Sequence, residues 1–149
     1  MSQNAPPLLQ SAERLLLAIE KAVRSFPRYH KYTLGTELRT AALKLAQLAQ
    51  RAWRDVKGRA QWLDALVWAV DDLRQALRLG SQLKAFASFG QYEDLARAMA
   101  EVGQQVGGWK KQMHPEGQNP AASPAKARGP ERAQTLSHRA ASPHREAKA

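Results

Sequence analysis

Residues 34–57 read LGTELRTAALKLAQLAQRAWRDVK, and the spacing of their apolar members decides the fold class. Leu34, Leu38, Ala41, Leu45, Leu48 and Ala52 recur every three or four positions. That is the period of one helix face, not the alternation of a half-buried strand. Projected at about 100° per residue, these six share an arc with Ala42, Ala46, Ala49, Trp53 and Val56. Arg39, Thr40, Leu43, Lys44, Gln47, Gln50, Arg51, Arg54 and Lys57 fall opposite, with Glu37 and Asp55 only at the edge. The stretch therefore predicts an amphipathic helix with one apolar face and one basic face that lacks compensating acid.

Three further stretches carry the same period. The first has Leu9, Ala12, Leu16, Ile19, Val23 and Phe26; the third has Leu63, Leu66, Val70, Leu73 and Leu77; the fourth has Tyr92, Leu95, Met99, Val102, Val106 and Trp109. Leu83 and Phe86 are expected to continue the third apolar side beyond Gly80. Short links at Phe26–Tyr32, Lys57–Gly58 and Ser88–Gly90 leave successive helices no room to run parallel. The expected fold is all-α, an antiparallel up-down-up-down four-helix bundle over residues 1–112. Residues 113–149 are rich in Pro, Ala, Ser and Arg, and Leu136 is their one large aliphatic residue beyond Met113. Such a segment cannot bury enough apolar surface to offset chain ordering, so it reads as a disordered basic tail.

Charge is the strongest bulk signal. The chain has 23 Lys and Arg against 13 Asp and Glu, a net +10. The tail holds six basic and three acidic groups, so it supplies +3 and the bundle the remaining +7. An excess within the folded part points to an acidic partner such as nucleic acid. With no cysteine, disulfides, thiolate metal sites and a cysteine nucleophile are excluded. The first residues, MSQNAPPLLQ, lack the pattern of a secretory signal, and no stretch has the length of apolar sequence that spans a membrane. A cytoplasmic protein with no membrane association is expected. His30, His114, His138 and His144 lie in a loop and in the tail, Asp71 and Asp72 are adjacent and so diverge on a helix, and no phosphate loop, GxSxG or HExxH occurs. Neither an enzyme nor a metal or cofactor site is expected.

The link FPRYHKYTLG, residues 26–35, is dense in aromatic and basic groups. Pro27 disfavours helix at Phe26 and lacks an amide donor, so it stops the first helix. Thr33 is placed to cap the next helix by accepting an amide hydrogen of its first turn. Phe26, Tyr29 and Tyr32 can cover the end of the bundle, or, with Arg28 and Lys31, offer stacking and phosphate contacts. Together with FPRYHKYTLGTELRTAAL, the stretches LRQALRLGSQLKAF and QYEDLARAMAEVGQQVGGWKK resemble the accessory variability determinant (Avd) proteins of diversity-generating retroelements. The small four-helix proteins of ribosomal RNA intervening sequences are similar too. The matching positions are Phe26, Pro27, Thr33, Leu34, Gly35, Arg39, Tyr92, Gly108 and Trp109, within residues 8–112. The long tail departs from the compact family form.

The Avd resemblance implies a non-catalytic homopentamer with a central channel and a basic surface. It would bind the reverse transcriptase and template-repeat RNA, with complementary DNA a further candidate, in support of mutagenic synthesis. The alternative is a structural or interaction oligomer of the intervening-sequence type with weak RNA association. Candidate nucleic-acid contacts are Arg28, Lys31, Arg39, Lys44, Arg51, Arg54 and Lys57. Trp68, on the outermost line of the third helix with Gln61, Gln75 and Gln82, is the candidate subunit or polymerase contact, with Trp53 beside it as a second candidate. Gly107 and Gly108 suggest a close backbone approach or a helix end beside Trp109. Arg97 lies four residues from both Glu93 and Glu101, a spacing suited to a helix-surface pair.

Overall fold

A computed structural model describes residues 4–113. The tail, apart from Met113, lies outside the described residues, as do His114, His138 and His144. The helices are α1 (Pro7–Arg24), a single-turn α2 (Arg28–Lys31), α3 (Leu34–Arg54), α4 (Arg59–Gln82) and α5 (Phe89–Met113). The four long ones close into a bundle: α1 packs on α3 and α5, and α4 packs on α3 and α5.

Contacts at the two ends give the course of the chain. At one end Phe26, just past α1, meets Phe86, just before α5, with ring centroids 5.1 Å apart. Gly35 and Gly80 sit there too, against Val23 and Leu34 respectively. At the other end Arg59 of α4 reaches Trp53 of α3 and Trp109 of α5. The end of α1, start of α3, end of α4 and start of α5 are thus together, which is the up-down-up-down order.

The core is made from the periodic residues. Leu8, Leu15, Ile19, Leu38, Leu45, Leu63, Leu66, Leu73, Leu77, Met99, Val102 and Val106 are its largest fully buried side chains. Each helix faces two neighbours at once, which turns its buried arc slightly from the simplest stripe. Leu15 is buried where Leu16 is only half-buried, and Ala42 and Ala49 go deeper than Ala41 and Ala46. Val56, assigned to the apolar arc, is exposed because α3 ends at Arg54.

Local chemistry fixes the helix ends. Pro7 opens α1 at a position where a missing amide hydrogen costs nothing. At the end of α4, Lys84 takes a left-handed φ of 59°. The Ala85 N–H then donates to the Gly80 carbonyl and the Lys84 N–H to that of Ser81, each at 3.0 Å, closing a Schellman turn. This turn carries Leu83 outward to 53% exposure and buries Ala85 instead, so only Phe86 of the expected Leu83–Phe86 continuation packs on the core. Ser88 begins α5 by accepting the Gln91 N–H at 3.1 Å, while Gln91 Oε1 accepts the Ala87 N–H at 3.0 Å, a reciprocal arrangement close to a capping box.

Two local expectations are corrected. The Thr33 hydroxyl does not accept from the first turn of α3; it donates back to the carbonyls of Tyr29 and His30, 3.2 and 3.4 Å away, because α2 places those acceptors beside it. Gly107 and Gly108 neither end α5 nor pack closely on a neighbour: the helix continues to Met113, and a methyl group on either would meet nothing within 4 Å among the described residues. No helix among the described residues is long and apolar enough to cross a membrane.

Candidate nucleic-acid interface

The basic side of α3 divides between two grooves. Towards α4, Gln47, Gln50, Arg51 and Arg54 line a groove of about 680 Å³ with Asp55 and Trp62. α3 ends at Arg54 with Asp55 just beyond it, and the short link brings α4 back so that Trp62, one turn in, stands beside the last turns of α3. Its Nε1–H donates to Asp55 Oδ2 at 2.9 Å, and the Gly58 N–H donates to Oδ1 at 3.0 Å. The indole bond first, and the Gly58 amide second, hold the Asp55 carboxyl below its ordinary value. An ionised Asp55 in turn fixes the indole. The guanidinium of Arg51 lies over that ring, 5.3 Å from its centroid. Arg51, Arg54 and the exposed Lys44 form no ion pair among the described residues.

Towards α1 the chemistry changes. Leu16, Leu17 and Glu20 of α1 and Thr36, Arg39, Thr40 and Leu43 of α3 line a second groove, of about 480 Å³. Arg39 donates from Nε to Glu20 Oε2 at 2.7 Å. Its charge is therefore answered by an acid that a projection of α3 alone does not contain. Leu17 and Leu43 are exposed along the same groove.

The remaining candidates are dispersed. Arg28 is exposed and Lys31 half-buried on α2, and Lys57 is exposed in the α3–α4 link. Of the link aromatics only Phe26 covers the bundle end; Tyr29 and Tyr32 are 82% and 72% exposed. Trp68 is 70% exposed on α4, as its outermost position requires. Trp53, by contrast, is half-buried against the core, with the Arg59 guanidinium 5.7 Å from its ring centroid. Arg97 pairs with Asp94 rather than with Glu93 or Glu101. No three His, Asp or Glu side chains gather as metal ligands among the described residues.

Two participants escape sequence reasoning. Trp62 and Asp55 reach the basic groove only through the α3–α4 turn; the one usable signal was their seven-residue separation across Lys57-Gly58. Taken together, the groove offers cations without ion-pair partners among the described residues, two amides for hydrogen bonding and an aromatic ring.

Comparison with known proteins adds one match. A family model described as bAvd-like matches residues 8–113. No curated protein matches the chain.

Proposed function

This chain belongs to the bAvd-like family, and from that premise we propose that it is the non-catalytic accessory protein of a diversity-generating retroelement. In this reading it binds the reverse transcriptase and the template-repeat RNA, and supports the mutagenic complementary DNA synthesis that precedes retrohoming. It acts in the cytoplasm as a homo-oligomer, a pentamer on the family pattern.

The observation that carries the reading is the run of Lys44, Arg51 and Arg54 along the outside of α3, exposed and without carboxylate partners among the described residues. Cations at this spacing displace the counterions condensed on a polynucleotide, which supplies affinity without requiring sequence recognition. Trp68, on the outside of the neighbouring α4, is the proposed contact with another subunit or the polymerase. Arg39, held by Glu20, contributes less.

Co-expression with a reverse transcriptase encoded beside it and with the template RNA tests the reading, the mass of the purified assembly being read by light scattering. One complex containing the polymerase, RNA and several copies of this chain is expected. Elution of the chain alone, free of RNA at low salt, contradicts the proposal.

A further inference from the structure

The α3–α4 groove holds more than phosphate attraction needs. Trp62 is anchored at its Nε1 by Asp55 and stands among Gln47, Gln50, Arg51 and Arg54. Resting on the RNA-binding reading above, we infer that this groove is a subsite for unpaired RNA nucleotides, in which a base stacks on the Trp62 indole. The Arg51 guanidinium, now 5.3 Å from the ring centroid, gives up that place and joins Arg54 on the adjoining phosphate. Gln47 and Gln50 hydrogen-bond the edge of the stacked base.

Three physical points favour this occupant. Stacking of a base on an aromatic ring outweighs an exposed cation–π contact, so the exchange of Arg51 for a base runs in the binding direction. An amide side chain both donates and accepts, so Gln47 and Gln50 can meet base edges as well as phosphates. Asp55, the one acidic group lining the groove among the described residues, accepts from Trp62 and Gly58 and pairs with neither Arg51 nor Arg54, so both guanidinium groups are left to meet the phosphates. A paired base in an A-form duplex keeps its faces within the stack and its Watson–Crick edge on its partner. The groove therefore selects unpaired over paired RNA, whereas the outer stripe of α3 attracts both.

The test uses the full chain with a short oligouridine and with a blunt RNA duplex of the same length. Trp62→Leu is expected to weaken oligouridine binding about tenfold while leaving duplex binding unchanged, and Trp62→Phe to retain most of the single-strand affinity. A readout independent of Trp62→Leu folding comes from fluorine NMR of the chain labelled with 5-fluorotryptophan. The resonance lost in Trp62→Phe should shift when oligouridine is added, and farther than it does with duplex. Unchanged oligouridine affinity in Trp62→Leu, or an unmoved resonance at saturation, overturns the stacking inference alone, because the basic stripe would still bind RNA. Failure of the wild-type chain to bind either RNA overturns the RNA-binding reading and this inference with it.

Discussion

The two ends of the bundle are both aromatic, yet they are built on opposite principles. Where α1, α3, α4 and α5 meet around Phe26, rings pack on rings: Phe26 on Phe86, Phe86 on Tyr92 and Phe89 on Tyr92. Close approach is obtained there by omission, since a methyl group on Gly35 would lie 2.7 Å from Val23 Cγ1. At the other end rings pack on cations. Arg59 stands within 5.7 Å of the Trp53 ring centroid and 5.4 Å of that of Trp109, and donates to the Ala52 and Trp53 carbonyls at 2.7 and 2.8 Å. It thereby satisfies acceptors that the end of α3 leaves open. The difference teaches how each end is held: at the Phe26 end rings pack on one another with Tyr29, Tyr32 and Phe89 exposed around them, while the cationic end sets charge beside aromatic surface at the rim of a groove.

Breaking the cationic end should have the largest effect. Arg59→Ala removes two charge-assisted hydrogen bonds and leaves two carbonyls unpaired, an expected loss of about 3 kcal/mol in urea unfolding. A loss within about 0.5 kcal/mol, the range of ordinary surface changes, would mean that the cation is ornamental at this end. Gly35→Ala probes the Phe26 end. The clash with buried Val23 costs about 2 kcal/mol, and the better helix propensity of alanine offsets about 1 kcal/mol, so a net loss near 1 kcal/mol is expected. A stabilised variant would show that the glycine is not needed for packing.

A smaller effect separates the ends by pH. Asp55 titrates below its ordinary value in the folded chain, so folding favours its ionised form. Its contribution is complete above the unfolded carboxylate value and is lost as the pH falls through the lowered folded value. Wild-type stability should therefore fall more than that of Asp55→Asn over this acid range. Parallel losses would contradict the indole–carboxylate contact.

Much of the fold was legible because a helix is written locally. The spacing from Leu34 to Ala52 gave α3 its faces, and Pro27 marked the end of α1. Errors arose where a turn, rather than the helix period, settles which way a side chain faces. The α2 turn redirected the Thr33 hydroxyl, and the Lys84 turn exchanged Leu83 for Ala85 in the core. The make-up of the candidate surface was legible only in part. The exposed cations of α3 follow from its own sequence, but Glu20 belongs to α1 and Trp62 to α4. Neither the neutralisation of Arg39 nor the aromatic member of the groove is contained in the helix that carries the candidate phosphate contacts.

The most direct test is the salt dependence of template-RNA binding by the full chain, compared among wild type, Arg51→Gln/Arg54→Gln and Arg39→Gln. The double variant is expected to lose about two phosphate contacts from the slope of log K against log salt, and Arg39→Gln clearly less than one. An unchanged slope in the double variant, or an equal loss from Arg39 alone, would contradict the placement of RNA on the α3–α4 side.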